Sequence, residues 1–232
     1  MNSELLIGYA NSMGITLEEE ATSLMVRYGE AILEKNMVIN LTAITDENEF
    51  LVKHLLDSLT AASLNEVRGK ILDVGTGGGF PGVIIKIHDR SREVVVVDSK
   101  KKKLSVVEEI CKELGIVVDV LHKRVEIMSH EEARQSFDCV VARAVAPMPR
   151  LLEYCLGLVK IGGHLLTMKG PDVENEISSA SEAERMLGAK LKRVVNFMLP
   201  NEIERNIAIY EKIKDTPKKY PRNSASITKA PL

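Results

Sequence analysis

Cysteine is scarce in this chain of 232 residues, and the few cysteines present form no recognisable metal or disulfide pattern. Cys111, Cys139 and Cys155 are isolated among apolar neighbours, without a CxxC pair or a nearby histidine cluster. Spacings of that kind disfavour zinc-binding folds and disulfide-stapled folds. We therefore expect three buried free thiols and no metal site.

The sequence also lacks long apolar segments. No stretch reaches the roughly eighteen apolar residues that a transmembrane helix requires. The opening MNSELLIGYANSMG has neither the basic region nor the long apolar region of a secretory signal peptide. These absences lead us to expect a cytoplasmic protein with no membrane partner.

Excess charge of either sign is missing as well, because the formal net charge is only −2. A surface coated in positive potential for general nucleic-acid binding is therefore excluded, although local basic patches are not. Apolar residues make up 45% of the chain and charged residues 28%, which is typical of an ordered globular protein. Nothing in the pattern marks an interface between copies, so we expect a monomer.

The first part of the chain, residues 1–65, has helical periodicity and is predicted to form a helical N-terminal subdomain. Thr16 with Glu19, and Asp46 with Glu49, have the form of capping boxes at the starts of two helices. The segment NMVINLTAIT between these helices is predicted to be an irregular connection.

From residue 66 to residue 215 the pattern changes to short apolar runs that alternate with helical segments. This alternation is typical of a parallel sheet with crossover helices. The predicted strands cover residues 70–74, 93–98, 116–121, 137–143, 164–169, 190–199 and 205–213, and a helix is predicted over 173–187. Residues 216–232 are predicted to form a basic C-terminal tail of low order.

The glycine-rich segment DVGTGGGFPG, residues 73–82, follows the first predicted strand. An open α/β sheet binds its ligand at this position, and glycine lets the backbone approach the ligand closely. Gly77, Gly79 and Gly82 match the GxGxxG spacing of dinucleotide-binding folds, with Asp98 about twenty residues further on. One interpretation is therefore an oxidoreductase that uses a nicotinamide cofactor.

A second interpretation is a methyltransferase that binds S-adenosylmethionine. Asp73, Gly75, Gly77 and Gly79 fit the pattern of an acidic residue followed by Gly-x-Gly-x-Gly at the end of the first strand. Asp98 would accept hydrogen bonds from two ribose hydroxyls in either interpretation. A carboxylate just past the third predicted strand, as in RVE, is placed where methyltransferases contact the adenine edge.

Several segments in order along the chain resemble one known family. They are NLTAITDENEFLVKHLLDS, ILDVGTGGGFPG, VVDSKKKK, RVE and ARAVAP. Together they are similar to the ribosomal small-subunit methyltransferase G family, also called glucose-inhibited division protein B. NLT followed by KHLLDS and GFPG is the most specific part, because ordinary methyltransferases lack the helical prefix.

The resemblance implies a class I methyltransferase fold, a Rossmann-like seven-stranded α/β sheet with a helical N-terminal extension. It implies transfer of a methyl group from S-adenosylmethionine to N7 of a guanosine in 16S ribosomal RNA, in the loop around nucleotide 527. The implied partner is 16S RNA or the small ribosomal subunit. A noncatalytic ribosome-assembly factor with this fold is a further alternative.

Carried over residue by residue, the resemblance implies a cofactor site and an active-site arginine. The implied cofactor-binding residues are Gly75, Gly77, Phe80, Asp98, Val125, Glu126 and Arg143. Arg143 is also the expected catalytic residue, through positioning, and a salt bridge at a strand end is its alternative. The expected RNA contacts are Asn40, His54, Lys102, Lys103, Lys169 and Arg222, and a structural pairing is the alternative for Lys169.

The reaction implied by the resemblance makes few demands on side chains. Guanine N7 carries a lone pair and no proton, so attack on the methyl group needs no general base. His54, Asp57 and Ser58 lie within one helical turn, where a hydrolytic triad would have poor geometry. We therefore expect this cluster to line an entrance for RNA or cofactor, or to pack the helix.

Overall fold

Seven strands form one sheet in the computed structural model, which describes residues 1–232. The strands are β1 (Lys70–Val74), β2 (Glu93–Asp98), β3 (Asp119–His122), β4 (Phe137–Arg143), β5 (Val159–Lys169), β6 (Ala189–Leu199) and β7 (Ile203–Lys212). Their spatial order is β3-β2-β1-β4-β5-β7-β6, and β7 alone runs antiparallel to both of its neighbours. The predicted seven-stranded α/β sheet is confirmed.

Helices cover both faces of the sheet. They are α1 (Ser3–Ser12), α2 (Glu19–Asn36), α3 (Glu47–Phe50), α4 (Asp57–Ala62), α5 (Gly82–His88), α6 (Lys101–Glu113), α7 (Val125–Met128), α8 (Met148–Cys155), α9 (Val173–Ser179), α10 (Ser181–Leu187) and α11 (Ser224–Lys229). A π-helical segment, Leu51–Leu56, joins α3 to α4 without a break. None of these helices has the length and apolar character needed to cross a membrane.

The central strands are apolar because the sheet is covered on both sides. In β2 the four valines of EVVVVD are all buried, and in β1 all residues after Lys70 are buried. One hydrophobic cluster joins the N-terminal helices, α5 and α6 to one face of the sheet, and a second joins α8, α9 and α10 to the other. The boundary proposed near residue 65 stays a prediction, and the helices before it share their core with the sheet.

Several predicted strand ends differ from the structure, and the largest differences are at the starts of β3 and β5. The third strand begins at Asp119 rather than at residue 116, because Ile116 turns back after Gly115 and is buried beside the end of α6. Gly115 has φ +66°, the left-handed conformation that ends many helices. The fifth strand begins at Val159, five residues before the predicted start.

Helix prediction was correct at one capping box and wrong at the other. The Asp46 side chain accepts a hydrogen bond from Glu49 N at 2.8 Å, as predicted. Thr16 caps nothing, because α2 begins at Glu19 and its N-cap is Glu18. The helix predicted over residues 173–187 is divided at Ala180 into α9 and α10.

The C-terminal tail is more ordered than predicted. It contains α11 and buries Tyr220 and Ile227. Both residues are apolar, and the low-order interpretation gave too much weight to the surrounding lysines and prolines. The three cysteines are free and buried, as predicted.

Candidate active site

The glycine loop leaves β1 at the point where the strand order reverses. In parallel sheets this is the position of the ligand crevice. Gly75 N and Thr76 N both donate to Val97 O, which holds the start of the loop against β2. Gly75 has φ +70°, and a Cβ there would lie 2.7 Å from Val145 Cγ2. A side chain at this position would therefore disturb the loop.

The Asp73 side chain holds the glycine loop by hydrogen bonds. Its Oδ2 accepts hydrogen bonds from Thr76 Oγ1 at 2.6 Å and from Gly82 N at 2.8 Å. Its Oδ1 is buried and has no partner in the protein. Burial raises the pKa of this carboxyl to about 6, against the opposing effect of the hydrogen bonds from Thr76 and Gly82.

A cleft of about 220 Å³ opens beside the loop. Its walls are formed by Val74, Gly75, Val97, Asp98, Ser99, Lys123, Arg124, Val125, Glu126, Val145, Tyr154 and Ser224. Asp98 accepts one backbone hydrogen bond on each carboxylate oxygen, from Gly77 N at 3.0 Å and from Lys100 N at 2.8 Å. Each oxygen keeps a further lone pair, so the carboxylate can also accept two hydroxyl donors.

Val125 and Glu126 form the far wall of this cleft, at the start of α7. Their N–H groups lie in the first turn, where a helix offers no acceptor. The Glu126 side chain is only 11% exposed and pairs with Arg124 Nε at 2.7 Å. The predicted cofactor residues Gly75, Asp98, Val125 and Glu126 therefore lie together in one cleft, and Gly77 adjoins it through its bond to Asp98.

A second cavity, of about 930 Å³, adjoins the first through their common residue Val145. It is lined by Ile44, Lys53, His54, Asp57, Arg143, Ala144, Val145, Ala146, Pro147, Met168, Lys169, Gly170, Asp172, Glu176 and Arg205. The residues come from the connection before α3, the segment 47–62, the ends of β4 and β5 with the loops that follow them, α9 and β7. Charged side chains of both signs line this cavity, as they also line the smaller cleft.

Arg143 ties the end of β4 to the helical segment. Its Nη1 donates to Lys53 O at 3.0 Å and to Asp57 Oδ2 at 2.9 Å, and its Nη2 donates to His54 Nδ1 at 2.9 Å. The π-helical turn makes this possible, because Asp57 N donates to Val52 O and not to Lys53 O. Arg143 thus ends β4 and lines the second cavity rather than the smaller cleft, and its predicted roles in cofactor binding and catalysis stay predictions.

The contacts of His54 determine which of its nitrogens carries hydrogen. An arginine only donates, so Nδ1 must accept from Arg143 and Nε2 must donate to Thr42 Oγ1, 2.7 Å away. Burial, together with the positive charge of Arg143, lowers the pKa of His54 to about 3. The ring is neutral at physiological pH and also stacks on Phe80.

Phe80 is buried and packs against His54, Tyr28 and Phe50 rather than lining the cleft. The guanidinium group of Arg143 lies over the Phe80 ring, with Cζ 5.6 Å from the ring centroid. The role of Phe80 in cofactor binding stays a prediction. In the structure its side chain packs against His54 and Arg143, which line the second cavity.

The predicted RNA contacts have different surroundings. Asn40 and Lys102 are exposed, whereas Lys103 donates to Leu41 O at 3.3 Å and so anchors the connection before α3. Lys169 lies in the second cavity and pairs with Glu176 at 2.6 Å. The sixth predicted contact, Arg222, is bonded to a buried carboxylate on α8. Their roles toward RNA stay predictions.

The residues of the two cavities that were not foreseen from the sequence include Tyr154, Glu176, Arg205 and Ser224. Arg205 forms a second ion pair with Asp57, at 3.3 Å. Glu176 comes from α9, which also carries the exposed Glu174, and nothing in the sequence distinguishes the two carboxylates. Only the packing of that helix beside α8 brings it to the cavity.

Comparison with known sequences identifies the family. A sequence model described as rRNA small subunit methyltransferase G matches residues 21–207. Ribosomal RNA small subunit methyltransferase G of Clostridium tetani is 39% identical over 99% of this chain and 98% of its own. The protein of the same name from Lactobacillus johnsonii is 38% identical over the full length of both chains. The chain belongs to this family.

Solved structures support the fold of this methyltransferase. An S-adenosylmethionine-dependent O-methyltransferase from Thermotoga maritima matches with a TM-score of 0.51 and 14% identity, over 80% of this chain and 72% of that one. TrmN from Thermus thermophilus matches with a TM-score of 0.51 and 16% identity, over 71% and 48%. The family and the fold decide between the two interpretations of the glycine loop: the methyl donor is S-adenosylmethionine, and the dinucleotide alternative is rejected.

The cleft fits this cofactor by its donors and acceptors. Asp98 has free lone pairs for the two ribose hydroxyls, and the buried Oδ1 of Asp73 beneath the loop lacks a partner. Gly75 has no side chain, and a Cβ there would clash with Val145 Cγ2 in the same cleft wall. We propose that Gly75, Gly77, Asp98, Val125 and Glu126 hold the adenosyl part of the cofactor, which supplies an electrophilic methyl group when bound.

Replacing Asp98 with alanine is expected to weaken S-adenosylhomocysteine binding by about a hundredfold, because hydrogen bonds to a charged acceptor are lost. Calorimetric titration of the purified protein measures the effect. Asp89→Ala is the matched control, since Asp89 also accepts from a backbone N–H two residues later, at Ser91, but lies at the other end of the sheet. Equal affinities in the Asp98 variant and the control would contradict the assignment.

Lowering the pH from 7 to 5 is expected to cost the wild-type protein about 2 kcal/mol more stability than a His54→Asn variant. The pKa of His54 is about 3 in the folded protein and 6.5 in the reference state. Because the unfolded chain takes up this proton first, the contribution of neutral His54 is complete above pH 6.5. It is lost as the pH falls from 6.5 toward 3. Urea unfolding at both pH values measures the difference, and equal losses in the two proteins would contradict the lowered pKa.

Proposed function

We propose that the protein transfers the methyl group of S-adenosylmethionine to N7 of a guanosine in 16S ribosomal RNA, in the loop around nucleotide 527. Family membership over nearly the whole chain is the observation that carries the proposal. The substrate is the 16S RNA or the small subunit that contains it, and we place the reaction in the cytoplasm, with the protein acting as a monomer.

The chemistry of the second cavity supports a ring-nitrogen acceptor. Guanine N7 has no proton to lose, so catalysis rests on the alignment of nucleophile, methyl group and sulfur. His54 has both ring nitrogens engaged, and Asp57 is paired with Arg143 and Arg205. These side chains are arranged to hold one another in place and not to exchange a proton with a substrate.

The same cavity carries groups that suit guanine. Guanine presents an acceptor at O6 beside N7, and donors at N1 and N2 on its Watson–Crick edge. The Lys169 ammonium and the Glu176 carboxylate are 2.6 Å apart in the cavity, which offers a donor and an acceptor side by side. Glu176 Oε2 also accepts from Met148 N, so the carboxylate is fixed in orientation. We propose that this pair reads the guanine edge.

The decisive experiment is methyl transfer from labelled S-adenosylmethionine to 16S RNA and to small subunits from cells that lack the enzyme. The modified nucleotide is then mapped. Label at N7 of one guanosine near nucleotide 527 is the expected result. Label at another atom or another loop would overturn the assignment, and absence of label from every RNA form would favour the noncatalytic alternative.

Variants of the Lys169–Glu176 ion pair test guanine recognition separately from cofactor binding. Lys169→Met and Glu176→Gln are each expected to lower methyl transfer by about a hundredfold, because each leaves a polar group of guanine without its partner. S-adenosylhomocysteine binding should stay unchanged, since neither residue lines the smaller cleft. Unchanged transfer in both variants would contradict guanine recognition by this pair.

A further inference from the structure

The C-terminal segment 216–232 is held along α8 by several specific contacts. Arg134 donates to Thr216 O and to Tyr220 O, and His130 Nε2 donates to Pro221 O at 2.7 Å. The Tyr220 side chain is buried in the cluster that contains α8. The segment therefore has a defined position on the body of the protein before it reaches α11.

The strongest of these contacts is the ion pair of Arg222 with Glu153. Arg222 Nε donates to Glu153 Oε1 at 2.8 Å, and Nη2 donates to Oε2 at 2.6 Å. Arg222 N adds a third hydrogen bond to Oε1 at 2.9 Å. Glu153 is fully buried, and Arg222 supplies the opposite charge beside it. A bidentate pair of this kind fixes direction as well as distance.

This ion pair places the residues that follow it against the cofactor cleft. Ser224, two residues after Arg222, lines the cleft together with Tyr154, the residue after Glu153. Tyr154 Oη and Ser224 Oγ are 3.1 Å apart. The same cleft contains Asp98, Val125 and Glu126, so Tyr154 and Ser224 line the space assigned to the adenosyl group.

We propose that the C-terminal segment forms one wall of the adenosine site, with Ser224 and Tyr154 as contacts of the adenosyl group and Arg222 as the positioning residue. Hydroxyl groups both donate and accept, which suits the alternating donors and acceptors of an adenine edge or a ribose. This role differs from the RNA contact expected of Arg222 from the sequence. It rests on cofactor binding and not on the identity of the methylated base.

Binding of adenosyl compounds tests the two hydroxyls. Ser224→Ala and Tyr154→Phe are titrated in a calorimeter with S-adenosylhomocysteine and with methylthioadenosine, which lacks the amino acid part. Each variant is expected to bind both compounds about fivefold more weakly, by the same factor, because one hydrogen bond to the shared adenosyl part is lost. Ser226→Ala, on the same helix but outside the cleft, is the control and should bind like wild type.

Two measurements separate positioning by Arg222 from a merely structural role. Hydrogen exchange of amides 220–228 in the wild-type protein should slow when S-adenosylhomocysteine binds. Arg222→Ala should abolish that slowing and raise KM for S-adenosylmethionine about tenfold, while kcat stays within about twofold, because the segment no longer seats Ser224.

The proposal is overturned if Ser224→Ala and Tyr154→Phe bind both compounds within about twofold of wild type. It is also overturned if Arg222→Ala weakens binding while both hydroxyl variants do not, because the ion pair would then act through folding alone. Failure of the N7 assignment would appear separately, in the mapped RNA, and would leave these binding results unaffected.

Discussion

Replacing Arg143 with methionine is expected to lower the single-turnover rate of methyl transfer by about a thousandfold. Arg143 joins the end of β4 to the segment 47–62 through Lys53 O, Asp57 and His54. Without it, the wall of the second cavity, where we propose that the guanine meets the methyl group, loses its fixed position. The rate is measured with labelled S-adenosylmethionine and small subunits from cells that lack the enzyme.

Two variants distinguish loss of geometry from loss of charge. Arg143→Lys keeps the positive charge but cannot bond Lys53 O, Asp57 and His54 together, and we expect a loss of about a hundredfold. Arg193→Met removes a comparable ion pair, with the buried Glu66 at 2.9 Å, but at a distance from both cavities. That control should keep its rate. A wild-type rate in Arg143→Met would contradict the positioning role.

The cofactor cleft could be predicted from the sequence because its residues follow consecutive parallel strands. Gly75 follows β1, Asp98 ends β2, Glu126 comes soon after β3, and Arg143 ends β4. The carboxyl ends of these strands meet at one edge of the sheet, so sequence order alone brings the residues together. Gly75, Asp98 and Glu126 line one cleft, and Arg143 lines the cavity next to it.

The partners of the basic residues could not be predicted in this way. Lys169 meets Glu176, and Arg222 meets Glu153 across 69 positions of sequence. Each pairing depends on how a helix is placed over the sheet, and helical periodicity gives the buried face of a helix but not its neighbour. A lysine or arginine assigned to RNA from charge alone can therefore prove to be paired within the protein.

The π-helical segment could not be predicted from the sequence for a related reason. The residues of LVKHLL have ordinary helical periodicity, and the sequence predicted a regular helix through them. The turn widens where Arg143 reaches Lys53 O, a contact between segments 90 positions apart. Such a local irregularity follows from tertiary packing, which outweighs the intrinsic preference of the segment.

Replacing Gly79 with alanine is expected to lower the free energy of unfolding by about 4 kcal/mol, through two additive effects. Gly79 has φ +87°, a conformation that an alanine adopts only with strain. The added Cβ would also lie 2.0 Å from the hydroxyl oxygen of Tyr28 and 2.8 Å from Val83 Cγ2. Tyr28 is fully buried and donates to Gly78 O, so it has little freedom to move away.

Matched glycine variants separate the two effects in urea unfolding. Gly115→Ala carries the strain alone, because Gly115 has φ +66° with open space around it, and should cost about 1 kcal/mol. Gly8→Ala, inside α1 with open space, should stabilise by about 0.5–1 kcal/mol. Adding Tyr28→Phe to Gly79→Ala removes the nearest clashing atom and should restore part of the loss. If Gly79→Ala cost no more than Gly115→Ala, the close packing of the glycine loop on α2 would be refuted.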